Sequence, residues 1–240
     1  MKSQPQSDAQ TKLTRRPRGR PARIDRDGIV AAALELGFEA ASMRAVAHRL
    51  AVTDAALYHH FDSRTALQDA MANALATTFA LPAPSTDWQS WIRAFAHEVR
   101  RALLAAPGSA AVFSRLGPAM PGALRVVTGF VEALVECGVE VHAAARAYSF
   151  LTGYLVATVA RQESLTRAGH SGRMAPAFAD IVAAASERTP MLDAVAATWM
   201  GRSWDDEFAY GLDRVVDGLA SEVHAPAGTA TVGDASRSAS

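Results

Sequence analysis

The sequence predicts an all-α protein, and three observations carry that prediction. Apolar residues recur at steps of three and four through most of residues 24–223, with no convincing strand alternation. Alanine is abundant, and β-branched residues stand mostly singly inside the periodic stretches, which favours helices. Ser, Thr and Asp stand where helices would begin, and Gly or Pro where they would end.

The first helix is expected from about Asp25 to Leu36, with Ile29, Ala32, Ala33 and Leu36 as its apolar stripe and Gly37 closing it. Ser42, Thr53 and Ser63 then cut the chain into short helices, because each supplies an oxygen for orphan backbone N–H groups. The second helix buries Val46, Ala47 and Leu50. The third points Leu57 and Phe61 inward, and the fourth carries Leu67, Met71 and Leu75. Leu81-Pro82-Ala83-Pro84 separates this small bundle from the rest. A fifth helix over about 86–106 has Trp88, Trp91, Ile92, Phe95, Val99 and Leu103 in step, and Pro107-Gly108 ends it. A short helix near 109–116 follows. The next, over 121–137, is given the stripe Leu124, Val127, Val131 and Leu134. A long helix over about 140–162 carries Tyr148, Leu151, Leu155 and Val159. Residues 164–189 read as a mobile loop with a weak helix. The last helices cover about 190–200 and 204–223. The final one has Asp205, Asp206 and Glu207 in its first turn, where the helix dipole favours them, and the stripe Phe208, Leu212, Val215, Val216 and Leu219.

Composition narrows the function classes. The chain has 240 residues, half of them hydrophobic and a fifth charged, so it buries a core of one large domain or two small ones. Formal net charge is zero, but the charge is unevenly distributed. Lys12, Arg15, Arg16, Arg18, Arg20, Arg23 and Arg26 face Asp25 alone over residues 11–26, which is the footprint of a nucleic-acid contact. The single cysteine, Cys137, excludes an intramolecular disulfide and a cysteine-based zinc site within one chain. No signal-like run opens the chain, and no stretch near 18 uninterrupted apolar residues crosses it. A cytoplasmic protein with no membrane partner is expected. Residues 1–23 read as a flexible basic arm and 224–240 as a disordered Gly/Ala/Ser/Thr tail.

Residues 42–64 are the most informative stretch. Two short helices joined by a tight turn, the second with a small polar outer surface followed by Tyr58, His59 and His60, have the layout of a helix-turn-helix whose second helix enters the major groove. Thr53 and the first turn after it would face phosphates at a helix N-terminus. Asp54, Ala55 and Ala56 sit where base edges would be read: alanine methyls meet a thymine methyl, and a carboxylate accepts from a cytosine amine. Taken one at a time, these residues also read as solvated charges on a small bundle.

The run Ala-Leu-Tyr-His-His-Phe-Asp-Ser-Arg-Thr-Ala-Leu, residues 56–67, is similar to the signature of the TetR family of transcriptional repressors. Trp88-Gln89-Ser90-Trp91, Arg100-Arg101-Ala102-Leu103-Leu104 and Gly211-Leu212 resemble its tetracycline-repressor branch, so the resemblance covers most of residues 24–223. It implies an N-terminal three-helix helix-turn-helix DNA-binding domain over 24–70 and a C-terminal helical ligand-binding and dimerisation domain over 71–223. It implies that Tyr58, His59 and His60 contact the backbone and outer bases, and that Arg44 and Arg64 neutralise phosphates. The family often has glycine in the turn between the second and third helices. Here it is Ala51, and a left-handed alanine costs about 1 kcal/mol.

The resemblance also implies a dimer on a palindromic operator. The long helix and the last helix would pair across the two-fold, with Gly211 and Gly218 permitting close approach. A monomer's core shows the same periodicity, so the pattern alone does not separate the two. Tetracycline repressors hold a drug–magnesium complex. Against that pattern the histidine positions fall on Ala80, Phe113 and Gly153, the carboxylate position on Arg161, and the amide positions on Phe95 and Gly129. A cation where an anion belongs does not hold magnesium, so no metal or cofactor is expected. An apolar pocket for a hydrophobic or aromatic effector is expected instead, lined by Phe79, Trp91, Phe95, Val99, Phe113, Leu116, Met120, Tyr148 and Thr152, with Arg161 and Thr152 as polar anchors. Those aromatics equally suit plain core, and a regulator that takes no small molecule stays open as the alternative.

In the arm, Arg15-Arg16-Pro17-Arg18-Gly19-Arg20-Pro21 resembles an AT-hook, which lays Arg18 and Arg20 in a narrow minor groove. A nonspecific basic tail acting through counterion release fits the same residues. An enzyme is not expected. His59, His60, His97, His142 and His170 come with no His-x-x-x-His, Gly-x-Ser-x-Gly, P-loop or paired-carboxylate pattern.

Overall fold

A computed structural model describes residues 24–117, 120–169, 181–185 and 187–223. The basic arm with Arg18 and Arg20, the C-terminal tail, and residues 170–180 and 186 of the expected loop over 164–189 lie outside the described residues. The described residues form helices and connecting turns, with no strand among them. The helices are α1 (Arg26–Leu36), α2 (Met43–Arg49), α3 (Asp54–Tyr58), α4 (Arg64–Thr77), α5 (Trp88–Leu104), α6 (Ser109–Leu116), α7 (Leu124–Glu136), α8 (Val141–Arg167), α9 (Pro190–Met200) and α10 (Trp204–Val223). A 3₁₀ turn, Pro121–Ala123, precedes α7.

The caps explain the short helices of the N-terminal part. Asp25, Ser42, Thr53 and Ser63 accept from the backbone N–H of Gly28, Ala45, Ala56 and Ala66, at 2.8, 3.1, 3.3 and 3.1 Å. Each such cap contributes about 1 kcal/mol. Between α2 and α3 the chain turns through Ala51 at φ 53°. Val52 N donates to Ala47 O at 3.0 Å, closing the end of α2 with the six-to-one bond that a left-handed residue makes possible. Ile29, Ala33, Val46, Leu57, Phe61 and Leu67 meet in the core of this head, all within 1% of fully buried. The Arg26 guanidinium lies 4.1 Å over the Phe61 ring and donates to the His60 carbonyl at 2.6 Å, which fastens the end of α3 to α1.

Helix α4 crosses the expected division at residue 70 without a break, so one rigid rod belongs to both the head and the larger bundle. In that bundle α8 packs against α5, α6, α7 and α10. Its centre is aromatic: the Trp91, Phe95, Phe130 and Tyr148 rings lie 5.0–5.8 Å apart from neighbour to neighbour, mostly edge to face.

Two expectations about this bundle need correction. The buried stripe of α7 is Val126, Phe130 and Leu134, not Leu124, Val127 and Val131. Leu124 is 61% exposed, and the two valines are half-buried. Both stripes have helical spacing, and the one carrying Phe130 wins because that ring completes the aromatic cluster. Gly211 permits a close approach within the chain. A Cβ there would sit 2.3 Å from the Tyr154 hydroxyl, which donates to Phe208 O at 2.9 Å and binds α8 to α10.

Candidate nucleic-acid interface and buried cavity

The helix-turn-helix presents most of the expected contact residues to solvent. Arg44, Thr53, Asp54, Ala55, Tyr58 and His59 are exposed, while Ala56 and His60 are half-buried. Arg44 lies beside Ser42 and His48 in a shallow surface concavity at the start of α2. Neighbouring Arg49 is engaged by Glu35. The Thr53 hydroxyl caps α3 by accepting from Ala56 N at 3.3 Å.

Arg64 has an additional task. Its guanidinium donates to the Ala41 and Glu39 carbonyls at 3.0 and 2.9 Å, and Gln68 donates to Phe38 O at 3.2 Å. The side chain expected to neutralise a phosphate therefore ties α4 to the turn between α1 and α2.

The bundle contains a cavity of about 150 Å³. Seven of the expected residues line it: Phe79, Phe95, Val99, Phe113, Met120, Tyr148 and Thr152. Trp91, Leu116 and Arg161 do not. Trp91 sits one turn before Phe95 and stacks behind it, against Phe130. Leu116 lies off the face that Phe113 and Gly117 share at four-residue spacing. Arg161 follows Thr152 by about two and a half helical turns, so it emerges on the opposite face of α8, where it is exposed. The lining also includes Ala76 from α4, Leu103 from α5, Val126 from α7 and Val156 from α8, with Ser114, Ser149 and Gly153 exposed at its rim. Leu103 stood in the expected stripe of the fifth helix, whereas Val126 lay outside the stripe expected of α7. Their convergence on one space comes from the three-dimensional packing of α5 and α7.

No Asp, Glu, His, Lys or Arg lines this cavity among the described residues. Phe113 and Gly153, the positions matched to the family's histidines, are part of its apolar wall, and Arg161 is outside it. This donor set does not fit a magnesium–drug complex. Burial alone pushes the Tyr148 phenol up to about 12, so it stays protonated.

Three contacts join the cavity wall to α4. Gly122 N donates to Asn73 Oδ1 at 2.7 Å, and a Cβ on Gly122 would lie 2.0 Å from the Asn73 carbonyl oxygen. Arg125 donates to Phe79 O at 2.5 Å and Thr77 O at 3.3 Å, covering carbonyls at the end of α4. Arg115 pairs with Asp69. A fourth connection reaches the head from the far end of α8. Arg167 pairs with Glu39, and Glu163 accepts from Gly108 N at 3.2 Å. Burial raises the Glu163 carboxyl, while Gly108 and Arg167 pull it down. These anchors explain why α8 runs to Arg167 rather than ending near 162. Sequence reasoning missed Asn73 and Gly122. The signal was an asparagine in the interior of an alanine-rich helix, where its side chain is unfavourable without a tertiary partner.

Comparison with known proteins agrees with this arrangement. Residues 29–71 match the bacterial regulatory proteins of the tetR family, and residues 81–223 match the tetracyclin repressor-like C-terminal domain. A class C tetracycline repressor of Escherichia coli is 38% identical over 106 residues, spanning 41% of this chain and 48% of that protein. An HTH-type transcriptional regulator of Saccharopolyspora erythraea is 30% identical over 205 residues, 82% of this chain and 85% of that protein. Among solved structures, Streptomyces coelicolor ActR in complex with actinorhodin superposes with a TM-score of 0.71 at 25% identity, covering 85% of this chain and all of that one. The chain belongs to the TetR family: it is a DNA-binding transcriptional regulator and not an enzyme.

Proposed function

We propose that the protein is a dimeric repressor, held in the cytoplasm, that leaves a palindromic operator when a hydrophobic or aromatic small molecule fills the cavity. The observation that carries this reading is the apolar cavity built against α4, since Ala76 of that helix and Phe79 just past its end form its wall and the helix begins at Arg64 in the head. A ligand that holds Met120 and Ala123 in a new position moves the Gly122–Asn73 and Arg125–Phe79 contacts with them. The rod then shifts, and the spacing of two recognition helices changes. ActR supports a small-molecule role, since it was solved with actinorhodin bound.

Magnesium–tetracycline is a poor occupant, because the described residues of the cavity offer no carboxylate or imidazole. On the DNA side, Arg44 and the first turn of α3 meet phosphates, and Asp54, Ala55 and Ala56 meet base edges, with Tyr58, His59 and His60 outside them. For the dimer, α8 and α10 pack on each other and leave Phe150 and Tyr210 exposed, at 65% and 55%. Operator binding to DNA upstream of the protein's own gene, followed by fluorescence anisotropy with and without apolar aromatic compounds, tests the reading. Loss of affinity together with a raised melting temperature is expected. A broad apolar library that changes neither contradicts it.

A further inference from the structure

Among the described residues that line the cavity, the hydroxyls of Tyr148 and Ser114 make no hydrogen bond to another described residue, and of the two only Tyr148 is buried. Tyr148 is 6% exposed and lines the space, and its ring packs edge to face on Phe130 at 5.4 Å. Its hydroxyl makes no hydrogen bond to another described residue. The other buried or half-buried hydroxyl of the wall is already used: Thr152 Oγ1 donates to Tyr148 O at 2.7 Å. At the rim, Ser149 Oγ reaches Ala145 O at 3.4 Å. Because Tyr148 lines the open space, an oxygen placed there can accept the hydrogen of its hydroxyl. The phenol stays protonated across physiological pH, so towards an occupant it acts as a donor.

Charge points the same way. Among the described residues, no cationic side chain lines the wall. Arg125, at the neighbouring turn, is held by the Phe79 and Thr77 carbonyls. An anion entering this space would lose its hydration with no counter-charge to replace it, and a cation would fare no better. Phe79 and Phe113 stack on each other at 5.7 Å, and together with Phe95 they give the space an aromatic wall that suits an apolar ring. A volume of about 150 Å³ holds a molecule of about benzene size without rearrangement.

We propose that the cavity selects an uncharged aromatic ligand bearing a carbonyl or ether oxygen, and that the Tyr148 hydroxyl is the specificity-determining group that donates to that oxygen. This rests on the effector reading above and adds to it a chemical class and a residue.

Three probes of nearly one shape separate the possibilities: acetophenone, ethylbenzene and benzoate. Their affinities are measured calorimetrically at pH 7.5 on the full chain, on Tyr148→Phe and on Thr152→Val. In the unaltered protein the ketone is expected to bind about three- to tenfold tighter than the hydrocarbon, the range of one net hydrogen bond. Benzoate is expected to bind at least about tenfold weaker than the ketone. Tyr148→Phe removes the preference for the ketone and leaves the hydrocarbon within about twofold, whereas Thr152→Val keeps the preference, because that hydroxyl is engaged on its own helix. The infrared carbonyl stretch of bound acetophenone gives a readout that packing alone does not move. It is lowered by hydrogen bonding in the unaltered protein and returns upward in Tyr148→Phe. Equal binding of ketone and hydrocarbon, a preference that survives Tyr148→Phe, or tighter binding of benzoate overturns the Tyr148 assignment while leaving the effector reading intact. Failure of all three probes to bind overturns both.

Discussion

The head and the cavity hold their chemistry in opposite ways. In the head, the proposed contact residues Arg44 and Thr53 to His60 lie within one short stretch, and the helix caps Ser42, Thr53 and Ser63 fix where their helices begin. Its function is local and exposed. The cavity is assembled from α4 to α8 and the turn before α7, and the residues that form it are apolar and far apart in the chain. Its function is non-local and buried. A surface written in consecutive residues is legible before folding. A space is defined only by the elements that fail to fill it.

That contrast is open to direct attack. The largest effect is expected at Phe95, fully buried against Trp91, Phe130 and Tyr148. Phe95→Ala should cost about 3–5 kcal/mol of stability in chemical denaturation. A loss below about 1 kcal/mol would mean that the aromatic cluster is not the core of the bundle. Next comes the reverse case. Tyr58 and His59 are exposed, so the double substitution Tyr58→Ala, His59→Ala should leave the melting temperature nearly unchanged. Operator affinity should fall by about ten- to a hundredfold. If melting shifts and DNA binding does not, the roles of the two regions are exchanged.

Removing residues 1–23 should weaken DNA binding more gently and flatten its dependence on salt, since each phosphate neutralised contributes about 0.9 to the logarithmic slope. An unchanged slope would show that the arm does not touch DNA. The smallest effect is at Ala51. Its φ of 53° carries a Cβ in the left-handed region, so Ala51→Gly should stabilise the chain by about 1 kcal/mol and leave operator sequence preference alone. A destabilised Ala51→Gly would indicate that the methyl packs usefully enough to offset the strain.

Much of this was readable in the sequence, for identifiable reasons. The caps at Asp25, Ser42, Thr53 and Ser63 announced the helix starts, because a side-chain oxygen at a helix end acts on its own neighbours. The left-handed turn at Ala51 followed from comparison with a family that often places glycine there. Seven of the residues expected around a pocket, an expectation that came with the family resemblance, line the cavity, whereas Trp91, Leu116 and Arg161 lie away from it. Spacing tells which residues share a face of one helix, and not which face meets a neighbouring helix. The α7 stripe failed for the same reason: Val126-Phe130 and Val127-Val131 are equally periodic, and only the aromatic cluster decides between them. Asn73 was marked only by being an asparagine inside an alanine-rich helix, and its partner Gly122 was out of reach because the link is a single long-range contact.

The central claim is that occupation of the cavity governs the head. Val99, nearly buried on the cavity wall, offers the direct test. Operator affinity is measured by anisotropy for the unaltered protein and for Val99→Phe, each with and without saturating acetophenone. The account predicts that the ligand weakens operator binding of the unaltered protein by about tenfold or more, within the usual range of allosteric coupling. It also predicts that Val99→Phe, whose added ring takes up cavity space, binds DNA but no longer responds. An unaltered protein that binds the ligand without releasing DNA, or a Val99→Phe variant that responds as strongly, would contradict it.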